Sequence, residues 1–182
     1  MKVIGFVGSP REGGNTDVLV SEALRGSISA GAEVEKCYLA KLDISPCQAC
    51  EECRRIKRCQ LDDDMQNVYE LLLNADAIIL GTPIYFWGPS AQMKIFLDRW
   101  FALDQPGIRE RLHGKRCLLI CAFADSDPAT AGATVEMIRS AISWLEMEFM
   151  EPLLATAWER GEIARNAAVM QRAYALGAQL GG

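Results

Sequence analysis

The sequence predicts one α/β domain in which helices cover both faces of a doubly wound parallel sheet. Short apolar runs alternate with segments whose apolar residues recur at helical spacing, which is the pattern of βαβ units. A glycine-rich turn directly follows the first apolar run, at the edge of the sheet where such folds bind ligands. At 182 residues, half of them hydrophobic, the chain is long enough for a single domain with a buried core.

The first half of the chain provides three strands and two helices. The helix between the first two strands is expected from about Thr16 to Ala30. The next helix follows Asp62–Asp64, which can cap its N-terminus, and its apolar residues recur three or four positions apart. Those residues are Met65, Val68, Tyr69 and Leu72. The three strands are expected at Lys2–Gly8, Glu33–Leu39 and Asp76–Gly81.

The second half continues the alternation. Ser90 is the expected N-cap of a helix whose apolar face is formed by Met93, Phe96, Leu97, Trp100 and Phe101. The next helix is marked by Val135, Ile138, Ile142, Leu145 and Phe149, and the last runs over Ile163–Leu180. Strands are expected at Arg116–Phe123 and Pro152–Ala157. Five strands and five helices predict a flavodoxin-like five-stranded sheet with strand order 2-1-3-4-5.

Charge and hydropathy exclude two classes of function. The net charge of −5 and the pI near 5.0 give no electrostatic support to nucleic-acid binding. No run approaches 18 uninterrupted apolar residues, so no membrane association is expected. Met1 and Lys2 lead directly into the first strand, which leaves no room for a signal peptide. We therefore expect a cytoplasmic protein.

The segment Gly8–Thr16, the phosphate loop, connects the first strand to the first helix. Backbone N–H groups at a helix N-terminus form an anion site. The hydroxyls of Ser9 and Thr16 and the amide of Asn15 can add hydrogen bonds, and Arg11 can neutralise a dianion. Because the loop lacks the lysine of a triphosphate-binding P-loop, it favours a terminal phosphomonoester. An ordinary glycine-rich turn with Thr16 as N-cap is the alternative.

The segment Thr82–Ser90, the ring loop, follows the third strand and contains two prolines and three aromatic residues. An exposed segment this rich in aromatic side chains is expected to cover a flat ligand or a partner. Its backbone amides can hydrogen-bond the polar edge of an isoalloxazine, and its aromatic side chains can pack on the ring. A satellite core or a dimer contact would explain the same aromatic residues.

Four cysteines fall within 13 residues, with the spacing C-x2-C-x2-C-x5-C. The first three lie at i, i+3 and i+6, so a chain that wraps through a helical turn or two points their thiols to one side. Ferredoxins use the same run to hold three corners of a cubane cluster, and Cys59 could supply the fourth ligand here. A zinc site and free or oxidised thiols are the alternatives, and a disulfide is disfavoured in a reducing compartment.

The two loops together resemble those of NAD(P)H-dependent FMN reductases, which are flavodoxin-like. Gly8–Thr16 and Thr82–Ser90 match the phosphate and ring loops of that family, and Lys94–Arg99 and His113–Lys115 match it as well. The four cysteines narrow the resemblance to the iron–sulfur flavoproteins, in which such a motif after the second strand holds a [4Fe–4S] cluster beside FMN.

The resemblance implies a flavin-dependent oxidoreductase that couples one-electron transfer at a [4Fe–4S] cluster to transfer at FMN. It implies one FMN-binding domain over 1–182, with a cysteine loop inserted at about 44–62. Ferredoxin or NAD(P)H would be the electron donor, a small molecule the acceptor, and a homodimer or homotetramer the assembly. The phosphate would be held by Ser9, Arg11, Asn15 and Thr16, the ring by Pro83, Ile84, Tyr85, Phe86 and Trp87, and the cluster by Cys47, Cys50, Cys53 and Cys59.

Two other functions fit the same residues. An NAD(P)H-dependent FMN or quinone reductase would use the flavin and carry a vestigial cysteine loop. A non-enzymatic module would be stabilised by zinc and use the aromatic loop as a protein interface. No catalytic side chain is predicted, because flavin and cluster would carry the chemistry. Asp98 and Arg99 are expected on the polar side of their helix, in structural contacts.

Overall fold

A mainly parallel sheet runs through the centre of the protein, whose computed structural model describes all 182 residues. Its strands are β1 (Lys2–Val7), β2 (Glu33–Tyr38), β3 (Ala77–Tyr85), β4 (Gly88–Pro89), β5 (Arg116–Phe123), β6 (Glu148–Phe149) and β7 (Leu153–Thr156). The helices are α1 (Asn15–Ser29), α2 (Glu52–Ile56), α3 (Met65–Asn74), α4 (Ala91–Asp98), α5 (Gly132–Trp144) and α6 (Ala167–Gly181). None of the helices combines the length and apolarity that a membrane span requires.

The strand order is β2-β1-β3-β5, with both β6 and β7 beside β5. β6 and β7 are two parts of one edge strand, because both pair in parallel with β5 along the same side. Pro152 lies between them and has no N–H to donate to the ladder, so the pairing is interrupted there. With these two parts counted as one strand, the predicted order 2-1-3-4-5 is confirmed.

The sheet separates two apolar layers, and the side chains of β1 show why. Val3 and Val7 face α1 and α6, whereas Ile4 and Phe6 face the layer of α3, α4 and α5. This alternation is the period of two that a strand imposes on its side chains. α1 and α6 approach closely at Gly177, where a Cβ would lie 1.8 Å from the Ala23 carbonyl oxygen.

Three predicted boundaries are wrong. The last helix begins at Ala167 rather than at Ile163, which lies in a separate 3-10 turn over Glu162–Arg165. The helix expected to reach Phe149 ends at Trp144, and Phe149 lies in β6. Its spacing from Leu145 fits a helix, but the chain turns at Glu146, which has a φ of +58°. The Leu145 and Phe149 side chains nevertheless pack against the same core, so burial alone produced the helical spacing.

The third strand is longer than expected and reaches Tyr85, so the predicted ring loop begins as a strand. β3 pairs with β1 only as far as Gly81 and with β5 as far as Pro83, and its last two residues, Ile84 and Tyr85, pair with β4. Pro83 is therefore accommodated, because no β1 carbonyl lies opposite its nitrogen. The chain then reverses at Phe86 and Trp87 into β4, which makes the ring loop a β-hairpin.

Candidate functional site

A cavity of about 390 Å³ opens at the carboxyl ends of β1, β3, β5 and β7. This is the edge at which doubly wound folds bind ligands, and the volume lies within the range of small-molecule sites. The cavity brings together seven of the nine residues predicted for a flavin, from two loops far apart in the sequence. They are Ser9, Arg11, Asn15, Thr16, Pro83, Ile84 and Tyr85.

The phosphate loop lines one end of the cavity with hydroxyl groups. Ser9 accepts a hydrogen bond from the Arg11 N–H at 3.2 Å, which leaves its hydroxyl proton free to donate. Thr16 is 2% exposed, and no protein group hydrogen-bonds its hydroxyl. The N-cap of α1 is Gly14, so Thr16 is not the cap. The N–H groups in the first turn of α1 lack helical partners. The loop therefore offers donors to an anion.

Asp17 holds the phosphate loop in place. Its carboxylate accepts hydrogen bonds from the Gly13 N–H at 2.7 Å, the Lys36 ammonium at 2.8 Å and the Tyr38 hydroxyl at 3.0 Å. Burial by itself would raise the pKa of this carboxyl, but the bonds from Lys36, Gly13 and Tyr38 outweigh it and hold the pKa below its usual value. An acidic residue in the first turn of a helix was the sequence signal for this anchor.

The Asn15 side chain is already engaged within the protein. Its amide donates to the Glu159 carbonyl at 2.9 Å, and its carbonyl oxygen accepts from the Ile163 N–H at 3.2 Å. Asn15 thus joins the phosphate loop to the segment that follows β7. Its direct contact with a phosphate stays a prediction, and the observed role is to position the loop.

The segment after β7 also lines the cavity, through Ala157, Trp158 and Arg160. Sequence reasoning did not assign these residues. The signal was available, because the fifth strand ends at the same edge of the sheet as the others. An arginine and a tryptophan directly after that strand were therefore candidates.

Phe86 and Trp87 lie at the tip of the β3–β4 hairpin and do not line the main cavity. They line a neighbouring hollow of about 290 Å³, which shares Ile84, Phe123 and Ala124 with it. The Phe86 and Trp87 side chains are 96% and 62% exposed. The Thr134 hydroxyl donates to the Trp87 carbonyl at 3.1 Å and fixes the tip against α5. These two predicted ring residues therefore stand beside the cavity rather than in its wall.

Backbone strain concentrates in the two segments singled out by the sequence. Six residues other than glycine have positive φ, and five of them lie in the hairpin tip or among the cysteines. They are Ala49, Glu51, Lys57, Phe86 and Trp87. Such conformations cost of order 1–3 kcal/mol each and are found preferentially at ligand sites, so the strain agrees with the sequence-based prediction of a site in each segment.

Ser90 joins the two halves of the main cavity. Its hydroxyl donates to the Gly8 carbonyl at 2.7 Å and accepts from the Met93 N–H at 3.2 Å, which confirms it as the N-cap of α4. The Gly8 N–H in turn donates to the Gly81 carbonyl at 2.7 Å. The phosphate loop and the hairpin are therefore fixed relative to each other.

Two aspartates close the base of the cysteine loop. The Asp64 carboxylate accepts from the Asp43 N–H at 2.7 Å, and the Asp63 carboxylate accepts from the Ser45 N–H at 3.0 Å. Asp63 also accepts from the Met65 N–H at 3.1 Å at the start of α3. Of the aspartates predicted to cap α3, Asp63 bonds its first N–H, whereas Asp64 stands at the N-cap position without a side-chain capping bond. Asp63 and Asp64 instead share the role of joining the two ends of the loop.

Arg99 lies buried beneath the loop, with its side chain 1% exposed. Its guanidinium pairs with Asp63 at 2.6 Å, donates to the Ser45 carbonyl at 2.8 Å and reaches the Cys59 sulfur at 3.3 Å. The expectation that Arg99 lies on the polar face of its helix is wrong. The expectation that Arg99 makes structural contacts agrees with these bonds. The reason is that the chain tightens into a 3-10 turn after α4, which rotates Arg99 inward.

The four cysteines line one small cavity of about 20 Å³ together with Arg99. Cys53 is buried and Cys59 half-buried, whereas Cys47 and Cys50 are exposed. Burial raises the pKa of the Cys53 thiol, and the neighbouring cysteines raise it further. No group of three or more cysteine, histidine or carboxylate side chains is arranged to hold a single metal ion. A polynuclear cluster instead binds each thiolate at a separate iron, so its ligands need only line one cavity. Four thiols are the ligand set of such a cluster, and here they share a cavity with the buried Arg99 cation.

The fold and the cavity together define a flavodoxin-like α/β domain with a glycine-rich loop and an aromatic hairpin at one edge of its sheet. The chain belongs to the family of NADPH-dependent FMN reductases, whose sequence pattern matches residues 1–159.

Two similar proteins agree with this assignment, and one solved structure agrees with the fold. An iron–sulfur flavoprotein of Methanocaldococcus jannaschii is 46% identical over 99 residues, which are 54% of this chain and 51% of that protein. A Bacillus subtilis protein provisionally named an NAD(P)H-dependent FMN-containing oxidoreductase is 27% identical over 170 residues, 91% of each chain. The solved structure of the Trp repressor binding protein from Bacillus subtilis has a TM-score of 0.73 at 24% identity over 96% of each chain, and this likeness shows the fold alone. The chain spans about half the length of the iron–sulfur flavoproteins it matches.

Proposed function

We propose that the protein is an FMN-dependent oxidoreductase that accepts electrons from a reduced nicotinamide and passes them to a small-molecule acceptor. The single cavity that joins the phosphate loop to the end of β3 carries this proposal. Membership in the FMN reductase family supports it and disfavours the zinc-stabilised interaction module.

The residues of the cavity divide into two roles. Ser9, Thr16 and Arg11 would bind the phosphate, and Pro83, Ile84 and Tyr85 would position the ring. When bound, FMN would supply the hydride and electron chemistry. No histidine, cysteine or carboxylate lines the cavity, so the protein itself contributes binding, orientation and exclusion of water.

We also propose that a [4Fe–4S] cluster is held by Cys47, Cys50, Cys53 and Cys59. Three observations support it: the shared cavity of the thiols, the buried Arg99 beside Cys59, and the similarity to a named iron–sulfur flavoprotein. Arg99 would offset the negative charge of the thiolates, and the clamp at Asp63 would keep the loop ends together.

One sample tests both parts. The protein is purified anaerobically, and flavin, iron and zinc are measured per chain together with NADH and NADPH oxidation. We expect one FMN per chain. If the cubane is present, we also expect absorbance near ~400 nm and about four irons per chain. Absence of FMN after incubation with excess flavin would reject the oxidoreductase, whereas FMN without iron after anaerobic reconstitution would reject only the cluster.

A second candidate is an NAD(P)H-dependent FMN or quinone reductase whose cysteine loop holds no cluster. The observation in its favour is that the flavin cavity and the cysteine cavity share no residue. It predicts that Cys47→Ser and Cys53→Ser leave FMN binding and NAD(P)H-dependent turnover unchanged. Loss of turnover with FMN still bound would instead assign the cysteines to electron transfer.

Assembly, location and alternative donors are further parts of the proposal. The highly exposed Phe86 and Trp87 would suit a subunit contact in a homodimer or homotetramer, which light scattering on the purified protein measures. Ferredoxin is the alternative electron donor, tested by reduction of the protein in anaerobic mixtures. We propose a cytoplasmic location, which the family membership supports and which fractionation of cells tests.

A further inference from the structure

The segment Ala157–Ile163 is a firmly bonded turn. The Ala157 N–H donates to the Phe123 carbonyl at 2.8 Å, and the Glu162 carboxylate accepts from the N–H groups of Trp158 at 2.8 Å and Glu159 at 2.9 Å. Gly161 supplies the φ of +72° that the turn requires. These bonds fix the backbone on both sides of Arg160, so its guanidinium is presented to a defined place.

That place is the phosphate loop. The Arg160 guanidinium donates to the Glu12 carbonyl and lines the cavity together with Arg11, Ser9 and Thr16. The Asn15 amide holds the same two segments together through Glu159 and Ile163. One rim of the cavity is therefore built from two parts of the chain about 145 residues apart.

The acidic side chains on this rim are paired with lysines, whereas its two arginines are not paired with carboxylates. The Glu12 carboxylate pairs with Lys41 at 2.6 Å, and the Asp17 carboxylate pairs with Lys36 at 2.8 Å. Arg11 and Arg160 have no carboxylate partner within 4.0 Å. The phosphate end of the cavity therefore presents two guanidiniums whose charge is not offset by an ion pair.

We propose that Arg160 is a second phosphate-binding residue and that, with Arg11, it makes the site select flavin that carries a phosphate. A phosphomonoester bears a charge of about −1.5 to −2 near neutral pH, which two guanidiniums match and one does not. The inference rests on the proposed function, in which the cavity binds FMN. It adds a residue that follows the fifth strand to a site otherwise built from the first helix and its loop.

The competing explanation is that Arg160 only supports the phosphate loop through the Glu12 carbonyl. The two explanations differ in what happens to riboflavin, which has the same ring and no phosphate. Loss of a loop support changes the shape of the cavity, so it weakens binding to the same extent at low and high salt and reaches riboflavin as well. A phosphate ligand affects FMN alone.

The experiment titrates FMN and riboflavin into flavin-free wild type, Arg160→Gln and Arg160→Lys, and follows the quenching of flavin fluorescence. Arg160→Gln keeps a donor for the Glu12 carbonyl and removes the charge, whereas Arg160→Lys keeps the charge. Arg165→Ala is the matched control, because Arg165 is exposed in the next turn and does not line the cavity.

We expect Arg160→Gln to bind FMN about ten- to hundredfold more weakly and riboflavin within about twofold of wild type. Arg160→Lys should retain most of the FMN affinity, and the FMN difference should shrink as salt screens the charge. Equal losses for both flavins, or unchanged FMN affinity, would overturn the assignment of Arg160. If wild type itself binds neither flavin, the proposed function fails, which is a distinguishable result.

Discussion

Replacing Arg99 by methionine should destabilise the whole domain, although Arg99 lies outside the flavin cavity. Methionine replaces the apolar stem of the side chain, although it is shorter, and removes the charge and every side-chain hydrogen bond. The substitution breaks the ion pair with Asp63, the bond to the Ser45 carbonyl and the contact with the Cys59 sulfur. The Asp63 carboxylate then stays buried without its cation.

The magnitude follows from the burial of the pair. The Arg99 and Asp63 side chains are 1% and 7% exposed, so solvent screening does not weaken their interaction. Removing one partner of a buried ion pair costs about 3–5 kcal/mol, because an uncompensated charge is left behind. For a domain of this size, 1 kcal/mol lowers the Tm by about 2–4 °C, so Arg99→Met should lower it by about 6–20 °C.

Thermal and urea unfolding of the flavin-free protein, followed by far-UV circular dichroism, measure this loss. Lys94→Met is the matched control, since Lys94 belongs to α4 and pairs with Asp98 while both side chains are 48% exposed. An exposed i, i+4 pair contributes about 0.3–0.5 kcal/mol, so this variant should hardly change the Tm. The double variant Arg99→Met with Asp63→Asn should recover part of the loss, because no buried charge is left unpaired and an acceptor for the Ser45 and Met65 N–H groups remains.

The reasoning is refuted if the free energy of unfolding of Arg99→Met lies within about 1 kcal/mol of the wild-type value, because an exposed ion pair contributes that much at most. It is also refuted if the double variant is less stable than Arg99→Met alone. Faster alkylation of Cys59 in Arg99→Met, with native circular dichroism, would locate the loosened contact at the cysteine loop.

Three further predictions concern the flavin cavity. Arg11→Ala should bind FMN about ten- to hundredfold more weakly and riboflavin equally well in titrations of the apoprotein; equal FMN affinities would remove Arg11 from the site. Asp17→Asn should cost about 1–3 kcal/mol in urea unfolding near neutral pH. The pKa of Asp17 in the folded protein lies below its ordinary value of 3.8. The stability difference between wild type and Asp17→Asn should therefore be largest above pH 3.8 and vanish as the pH falls through the folded pKa. A stability difference that stays constant down to low pH would contradict this role of Asp17. Trp87→Gly should stabilise the apoprotein by about 1 kcal/mol through relief of its φ of +61°, and a loss of stability would show that its packing outweighs the strain.

The order of the sheet and the place of the site were predictable because both follow from local pattern and chain connectivity. Apolar runs of strand length, separated by helical segments, permit few topologies, and the carboxyl ends of parallel strands share one edge. The phosphate loop and the end of β3 therefore had to meet, and Ser9, Thr16 and Tyr85 do line one cavity. The N-cap role of Ser90 was equally local.

The errors have a common physical origin. Phe149 continued a helical spacing, but the positive φ at Glu146 ended the helix. Thr82–Tyr85 contained a proline, but the strand could extend because its β1 neighbour had ended. Arg99 had the sequence context of a surface residue, yet a 3-10 turn directed it toward Asp63. In each case a neighbour distant in sequence, or a change in backbone geometry, decided the outcome.

The sequence by itself determined the alternation of strands and helices, the two loops that meet at the cavity, and the grouping of four cysteines. Those features depend on residue type and short-range spacing. Only the tertiary structure decided that Arg160 joins Arg11 in lining one cavity, that Asn15 holds the segment after β7, and that Arg99 lies beneath Cys59. These contacts connect residues 40 to about 150 positions apart, and a pairing across such distances is set by packing of the whole chain rather than by any local pattern.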